Sequence, residues 1–428
     1  MWGESRDLIK PMNNPFDEKK IMNSETFTVD ANRLTFELAE LGKIGLAEDG
    51  GYYREAFSQA DLEGRTLVEQ FMEDAGMTVT RDAACNSVGR YDGEDDSLPP
   101  IVVGSHTDTV PCGGNYDGVL GVLSGIALVR TLHRAGTRLK HPLEVINFSG
   151  EEAVAPGGTF GSRVMTGHFE KGLLEQTVYS GETFRELLQK AGINLLNLST
   201  IERGKGTVAA YVELHIEQGG ILDEDGISIG VVNGIVGFRR YRLVFAGRAN
   251  HAGTTPMDKR DDALVKAARF VLGVKETAEK YGIVGTVGTL NVTPGAPNVI
   301  PGSVEITFEL RGLDDSLIDQ AQRELESLAE ELTASFDKYS HKPPIISDEV
   351  IVAALEEGCQ RAELDYIVMP SGAGHDANLM ATICPVAMLF VPNKDGVSHS
   401  KDEYATPEAC VNGANALLQG IVGLDRRI

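Results

Sequence analysis

The sequence predicts an α/β fold that is interrupted by a smaller α+β segment. Up to about residue 215, stretches with apolar residues at helical spacing alternate with short apolar strands. This pattern is typical of a parallel or mixed sheet covered by helices on both faces. The order then changes to strand, helix, two strands and helix, and the first pattern returns near residue 349. The 428 residues also exceed the size at which a single core keeps growing, so two domains are expected.

The first and last parts of the chain supply the elements of the larger sheet. We predict helices at 61–75 and 118–135, a strand at 101–103 and a second strand within the run PLEVINFSGEE. The last part adds a helix at 349–362, a strand at 385–391 and a final helix from Pro407. In such sheets chemistry gathers at the carboxyl ends of the strands. His106 and the pair Glu151/Glu152 fall at such ends.

The segment between these two parts is expected to form a separate layer. Its predicted elements are strand 237–246, helix 261–281, strands 284–292 and 303–311, and helix 314–336. This βαββα order is ferredoxin-like. In the third strand the apolar side chains share one face, so Arg311 belongs to the opposite, polar face. The chain is therefore divided into an N-terminal extension (1–28), a main domain (29–231 and 349–428) and an inserted domain (232–348).

Composition restricts the partners and the compartment. The chain has 39 Lys and Arg against 63 Asp and Glu, a net charge of -24, which argues against nucleic-acid and membrane partners. No apolar run reaches the roughly 18 to 20 residues of a membrane span. The first 28 residues have no apolar h-region, so we interpret them as a loosely held extension and not a secretory signal. Five widely spaced cysteines without a CxxC indicate a cytoplasmic protein.

Two of the five segments that carry histidines or carboxylates precede the first long helix. In GSHTDTV, His106 and Asp108 stand two apart on an extended segment. One interpretation is that His106 binds a metal while Asp108 holds its second nitrogen; the alternative is a hydrogen-bonded pair at a strand end. In GGNYDG, Asp117 could bridge two cations or be an ordinary turn or helix-capping residue.

The other three segments follow later strands. Glu151 and Glu152 close an apolar strand, and because adjacent side chains diverge, one could bind a metal while the other moves the proton of a water. The alternative is a solvated acidic pair. His215 in YVELHIEQGG and His399 in SHS would each, taken alone, be a hydrogen-bonded structural histidine. Together the five segments supply the ligands of a hydrolase with two divalent ions.

With these segments in place, the chain resembles the hydantoinase/carbamoylase amidases of the M20 metallopeptidase superfamily. These include N-carbamoyl-L-amino acid hydrolases, β-ureidopropionases and allantoate amidohydrolases. The resemblance extends from about residue 30 to the C-terminus. The motifs that carry it are GSHTDTV, GGNYDGVLGV, GEE, ELHIEQG, NHAGTTPM, PNVIPG, SGAGHDA and DGVSHS.

The resemblance implies a catalytic main domain with two divalent metal ions per subunit. His106, Asp117 and His215 would hold one ion, and Asp117, Glu152 and His399 the other. Zn²⁺ is the expected ion, and Mn²⁺, Co²⁺ or Ni²⁺ also suit histidine and carboxylate donors. Glu151 would be the general base, and the Asp117–Gly118 peptide would be cis. In the peptidase branch a carboxylate usually stands where His215 does, so this histidine favours the amidase branch.

The resemblance also implies the substrate contacts and the assembly. The substrate contacts would be Gln218, His251, Asn298, Arg311 and His375. Arg311 would bind a substrate carboxylate bidentately. His251, reaching from the partner subunit of a homodimer, would stabilise the oxyanion. The inserted domain would be both the lid and the dimer interface. Without the resemblance, Arg311 could be a surface ion pair and Asn298 a turn residue.

The expected function is hydrolysis of the ureido C–N bond of a small carboxylated substrate, such as an N-carbamoyl-L-amino acid or allantoate. The products would be ammonia and carbon dioxide. The alternatives are a peptidase or aminoacylase that cleaves an N-acyl bond, and a non-catalytic binding protein of the same fold. One departure affects substrate identity: relatives commonly have EEG-x-RF after the acidic pair, whereas this chain has EEAVAPGGTFGS.

Overall fold

The computed structural model describes residues 27–153 and 156–428. The predicted N-terminal extension, 1–28, therefore lies outside the described residues except for its last two positions. Residues 154 and 155, in the atypical loop after the acidic pair, also lie outside them.

The helices of the described residues are α1 (Ala31–Leu41), α2 (Gln59–Asp74), α3 (Val119–Arg134), α4 (Phe160–Met165), α5 (Phe184–Lys190), α6 (Ile221–Asp225), α7 (Ala263–Tyr281), α8 (Asp315–Glu331), α9 (Glu349–Arg361), α10 (Ala377–Met380) and α11 (Pro407–Asp425). The strands are β1 (Thr78–Arg81), β2 (Ser87–Tyr91), β3 (Ile101–His106), β4 (Leu143–Phe148), β5 (Ala210–Ile216), β6 (Ile229–Ile235), β7 (Gly237–Ala246), β8 (Asn250–His251), β9 (Val284–Thr293), β10 (Val299–Ile300), β11 (Ser303–Gly312), β12 (Ala334–Lys342), β13 (Ile345–Ile346), β14 (Tyr366–Ser371) and β15 (Val386–Val391).

The larger sheet has nine strands in the order β1-β2-β4-β3-β5-β15-β6-β13, with β14 beside β6. Its central strands β4, β3, β5 and β15 run parallel to one another. The pairs β1–β2, β2–β4, β15–β6 and β6–β13 are antiparallel. This confirms the predicted α/β fold with a mixed sheet. Because the four central strands are parallel, their carboxyl ends lie at one edge.

Helices cover both faces of this sheet. The helix α3 is buried on almost every side, as expected for a helix that is apolar all round, and it packs against β3, β5 and α11. Side chains alternate between the faces: Val103 and Val212 join the core beneath α3 and α11, and Val102 and Tyr211 join the core on the other face. The last helix begins as predicted at Pro407, where the Thr406 side chain caps the chain.

The second sheet has four strands in the order β12-β7-β11-β9, and all its neighbours are antiparallel. The helices α7 and α8 cover one face, and their apolar side chains form a separate core with those of the strands. The predicted inward face of β11 is buried; it consists of Val304, Ile306, Phe308 and Leu310.

The prediction for the end of this segment was wrong in one respect. The predicted helix 314–336 ends at Glu331, and β12 follows as a fourth strand. Thr333, with φ +55, reverses the chain between them. The order is therefore βαββαβ. No glycine or proline marks this reversal in the sequence, so the local pattern does not show where the helix ends.

The two sheets are joined at neighbouring positions. The strand β6 continues to Ile235 and β7 begins at Gly237, while on the return β12 ends at Lys342 and β13 pairs with β6 through Ile345 and Ile235. Both connections therefore pass side by side, a few residues inside the predicted bounds 232 and 348. The roles of this segment as lid and dimerisation domain stay predictions.

Within the described residues, no helix is long and apolar enough to cross a membrane. The cysteines Cys85, Cys112, Cys359, Cys384 and Cys410 are all free. The cytoplasmic location stays a prediction from cysteine usage.

Candidate active site

The predicted metal ligands lie at the carboxyl edge of the larger sheet. His106 is the last residue of β3, and His215 lies one residue before the end of β5. Glu152 follows β4, and His399 follows β15 on a loop. Asp117 lies immediately before Gly118 at the start of α3. Parallel strands thus bring side chains from distant parts of the chain to one place.

These side chains form two groups that share one carboxylate. His106, Asp117 and His215 each offer a ligand atom within 4.8 Å of the others, and so do Asp117, Glu152 and His399. The Oδ1 atom of Asp117 lies 2.9 Å from Nε2 of His215, and its Oδ2 atom lies 3.1 Å from Nε2 of His399. The two oxygens of Asp117 therefore face different groups, which is the arrangement of a bridging carboxylate.

The buried histidines are oriented by backbone carbonyls. Nδ1 of His106 lies 3.0 Å from the carbonyl oxygen of Asp108, and Nδ1 of His215 lies 2.9 Å from that of Ile216. A carbonyl oxygen only accepts, so Nδ1 carries the proton and the Nε2 lone pair points into the site. Asp108 was predicted to hold the second nitrogen of His106. It makes this contact through its backbone carbonyl, and its carboxylate lies 3.8 Å from the same nitrogen.

The Asp108 carboxylate instead holds the acidic pair. It accepts hydrogen bonds from the backbone N–H groups of Glu151 (3.4 Å) and Glu152 (3.1 Å). Its Oδ1 atom lies 3.7 Å from the Arg65 guanidinium, whose Nε pairs with Asp61 at 2.9 Å. These three charged side chains are fully buried. Asp108 therefore acts on the site through the main chain that carries Glu151 and Glu152.

The sharp turn after Asp117 requires glycine. Gly118 has φ +67, and a Cβ atom there would lie 2.4 Å from the His106 ring. Its N–H donates to Nε2 of His215 at 3.2 Å. The Asp117–Gly118 peptide is trans, since the one cis peptide of the described residues precedes Pro294. The cis form implied by the family resemblance is therefore wrong for this structure, and the positive φ of Gly118 makes the turn instead.

Further polar side chains fix Asp117 from the loop side. Gln218 Nε2 donates to Asp117 Oδ2 at 2.8 Å, and Ser398 Oγ donates to the same oxygen at 3.0 Å. Glu403 is buried and accepts the N–H groups of Tyr116 (2.9 Å) and Asp117 (3.0 Å). Gln218 was predicted as a substrate contact. Glu403 was not predicted, although its sequence DEY follows closely after the SHS motif.

The site concentrates buried negative charge. Burial raises the pKa of the Glu151 carboxyl well above its usual range, and the nearby carboxylates of Asp376 and Glu152 raise it further. Burial and the charge of Asp117 raise the pKa of Glu152 to about 8. Divalent cations would relieve this repulsion. Metal ions fit this arrangement for three reasons. The Nε2 lone pairs of His106 and His215 point into the site, the two oxygens of Asp117 face different groups, and buried carboxyl groups are in excess.

Glu151 lies beside the ligands without belonging to either of the two groups. Its Oε2 atom is 3.8 Å from Nε2 of His106, and its side chain is 13% exposed. A third combination, His106 with Glu151 and Glu152, also brings ligand atoms within 4.8 Å of one another. Glu151 is thus within reach of any water held between the ligands.

Two predicted substrate contacts lie next to this cluster. The His375 ring lies with its centroid 4.7 Å from that of His215, and its Nε2 is 2.8 Å from Ser371 Oγ. Arg311 donates from a terminal nitrogen to the carbonyl oxygen of Gly372 at 2.8 Å, and its Nε pairs with Glu309. Arg311 therefore reaches from the second sheet to the loop that carries His375.

The other two predicted contacts are not brought to the ligands of the same chain. His251 ends β8 and Asn298 immediately precedes β10, and both residues are exposed. Nδ1 of His251 accepts the N–H groups of Gly253 (3.0 Å) and Thr254 (3.2 Å). His251 was predicted to act in the site of a partner subunit. The structure describes one chain, so this role stays a prediction.

Histidines and carboxylates gathered at the ends of parallel strands are typical of hydrolases that use divalent ions. Residues 102–422 match the family model of peptidase family M20/M25/M40, so the chain belongs to that family.

Relatives and solved structures place the chain more closely. It is 39% identical over 397 residues to an N-carbamoyl-L-amino acid amidohydrolase of Geobacillus stearothermophilus, which covers 91% of this chain and 97% of that protein. It is 34% identical to a ureidoglycolate hydrolase of Arabidopsis thaliana, over 95% of this chain and 89% of that protein. A crystal structure of an amidase of the hydantoinase/carbamoylase family from Burkholderia multivorans matches with a TM-score of 0.84 and 36% identity, over 94% of this chain and 99% of that chain. These findings confirm the resemblance found in the motifs, and the chain is a hydrolase that acts on amide C–N bonds.

Proposed function

We propose that the protein is a two-metal amidohydrolase that cleaves the ureido C–N bond of a small carboxylated substrate, releasing ammonia and carbon dioxide. N-carbamoyl-L-amino acids and allantoate are the substrate class. The observation that carries the proposal is the division of Asp117 between two ligand groups, with Glu151 beside them. The relatives named for carbamoyl and ureido substrates support the choice of bond.

The metal ions would be held by His106, Asp117 and His215 and by Asp117, Glu152 and His399, with Zn²⁺ as the first candidate. When bound, they would supply an acidified water and polarise the ureido carbonyl. Glu151 takes the proton of the attacking water and gives it to the leaving nitrogen. Asp108 keeps Glu151 in position by accepting its backbone N–H.

Substrate binding falls to the side chains around this centre. Arg311 binds the substrate carboxylate, for which its planar guanidinium is suited. Gln218 and His375 supply polar contacts to the ureido group. Asn298 and His251, which lie away from the ligands of their own chain, would act from a second subunit, where His251 stabilises the oxyanion. Because His251 lies on an exposed segment of its own chain, it can reach a neighbouring subunit.

The outer edge of the second sheet supports a homodimer. The strand β9 is one of the two edge strands of this sheet among the described residues. Its sequence VGTVGTLNVT carries no charge, as suits pairing with another chain. Val265 and Leu272 are exposed one above the other on α7, which packs beside β9. A second copy could pair with the strand and cover these side chains.

The experiment is a substrate screen on protein of measured metal content. One panel contains N-carbamoyl-L-amino acids and allantoate, and the other contains N-acetyl-L-amino acids and dipeptides. We expect ammonia release from the first panel and little cleavage of the second. Cleavage of the acyl panel alone would show a peptidase or aminoacylase. Unchanged turnover in Glu151→Gln would contradict the assigned base.

A further inference from the structure

Lys342 is the last residue of β12, the strand whose polar sequence does not predict it. In the register of the second sheet, Lys342 lies opposite Phe238 on β7, and Phe238 lies opposite Arg311 on β11. Directly opposite residues of antiparallel strands project on the same face. Lys342 and Arg311 thus flank Phe238 in one row.

Both ends of this row reach the loop that carries His375. Arg311 donates to the carbonyl oxygen of Gly372 at 2.8 Å. The Lys342 ammonium lies 3.8 Å from the position that a Cβ atom on Gly374 would take. The next residue, His375, contacts the ring of His215. Lys342 therefore lies at the mouth of the site, on the opposite side of Phe238 from Arg311.

The two cations differ in their partners. Arg311 shares the Glu309 carboxylate with Arg240. In the part of the chain that the structure describes, Lys342 has no carboxylate within 4.0 Å and no side-chain hydrogen bond. The charged groups that act on it without contacting it are Glu151, the proposed base, and Arg163, which is a second cation.

Burial lowers the pKa of the Lys342 ammonium. A partly buried ammonium without a counter-ion is costly, and a bound anion relieves that cost.

We propose that Lys342 binds a second carboxylate of the substrate, so that the preferred substrates are ureido dicarboxylates, in which the N-carbamoylated amino acid has an acidic side chain. The inference rests on the proposed function, in which Arg311 takes the first carboxylate. Their strands stand two strand spacings apart, roughly 10 Å. Both side chains are long, so their charged ends can converge on one small molecule. The Lys342 ammonium is a point charge on a flexible side chain, so it can reach the carboxylate of substrate side chains that differ in length.

The test compares N-carbamoyl-L-glutamate with N-carbamoyl-L-glutamine, which has the same shape without the second charge. We expect the wild-type enzyme to favour the glutamate derivative in kcat/KM. Lys342→Met should lower kcat/KM for this substrate by about tenfold, mainly through KM, as expected for one partly screened charge contact. It should leave the glutamine derivative unchanged. Lys342→Arg should restore most of the preference.

The matched control is Lys338→Met, which removes an exposed lysine of the same strand and should change neither substrate. Equal effects of Lys342→Met on both derivatives would overturn the inference, as would a wild-type preference for the glutamine derivative. The comparison of the two derivatives with the wild-type enzyme needs no variant, so it tests the inference even if Lys342→Met folds poorly. Hydrolysis of N-carbamoyl-L-alanine distinguishes failure of the Lys342 site from failure of the proposed function. If this compound is hydrolysed but the glutamate derivative is not preferred over the glutamine derivative, only the role of Lys342 is wrong. If no ureido compound is hydrolysed, the proposed function is wrong as well.

Discussion

The two ligand groups that share Asp117 differ in how the fold holds them. His106 and His215 are each 2% exposed, lie on strands and are fixed by backbone carbonyls. His399 has a side chain that is 51% exposed and lies on a loop with φ +53. The group of His106, Asp117 and His215 is thus part of the core, whereas the group of Asp117, Glu152 and His399 includes a ligand at the surface.

This difference separates stability from metal retention. A ligand inside the core contributes packing and hydrogen bonds whether or not an ion is bound, whereas an exposed loop ligand contributes little without one. We therefore expect the ion of the His399 group to leave first on chelation, and the ion of the buried group to leave more slowly.

The largest effect is expected from the residue common to both groups. In the proposed centre Asp117→Asn removes the charge that both ions would share, so metal content should fall for both and kcat should drop by about 10²–10³-fold or more. Metal analysis and ammonia release measure the two quantities. Asp402→Asn, which changes an exposed acid near His399, is the control. Retention of both ions in Asp117→Asn would exclude a bridging role.

The next effect tests the buried support beneath the acidic pair. Asp108→Asn places a neutral amide where two backbone N–H groups and Arg65 face a carboxylate. The free energy of unfolding should fall by about 2–3 kcal/mol, because these buried donors lose their charged acceptor. Denaturant unfolding should show this loss, and kcat should fall because Glu151 loses its support. Asp92→Asn, at an exposed position, should change neither. A stable Asp108→Asn protein with normal kcat would mean that Asp108 is dispensable.

A paired substitution addresses the comparison directly. His215→Ala empties a buried position and should destabilise the metal-free protein by about 1–3 kcal/mol. His399→Ala should change its stability by less than about 0.5 kcal/mol, as surface substitutions do. Each variant should bind one ion fewer. Thermal melting after chelation gives the stabilities, and equal losses in both variants would remove the distinction between core and surface ligands.

The smallest effect is expected at Glu403. One carboxylate oxygen of Glu403 accepts both backbone N–H groups, and the other lies 3.0 Å from the hydroxyl of Ser398. Glu403→Gln keeps the first oxygen but places an amide NH2 group against Ser398, which also contacts Asp117. Asp117 is then held less firmly, and metal affinity should fall by about tenfold. Competition with a chelator of known affinity measures this change, with Glu408→Gln as an exposed control. An unchanged affinity would restrict Glu403 to a structural role in the loop.

Much of the fold was predictable because its signals are local. The apolar runs of β3, β4 and β15 and the apolar helix α3 lie where periodicity predicted them, and the alternation of β11 assigned Arg311 to the polar face. β12 was missed because its sequence ASFDKYSHK is polar and no glycine or proline separates it from α8. Its position as a strand depends on pairing with β7, which local sequence does not report.

The meeting of the candidate ligands at one edge was also predictable, because His106 and His215 lie at or near the ends of apolar strands and Glu152 and His399 follow such strands. Contacts between distant segments were not. Arg65 lies on α2, and nothing in its sequence indicates that it points at Asp108. Glu403 is buried beneath Asp117, but an acidic residue in DEY is usually solvated. Such interactions arise only when the sheet has formed, so local pattern carries no trace of them.

The paired connection between the two sheets determines how the smaller one can move. Since the chain leaves and returns through neighbouring strands, the inserted layer is attached along a single line, and a rigid layer attached in this way can swing about one axis. Such a swing would carry Arg311 and Lys342 together while His106, Asp117 and His215 remain in place. The enzyme could then bind the charged groups of the substrate in one step and bring its ureido group to the reacting residues in a later step.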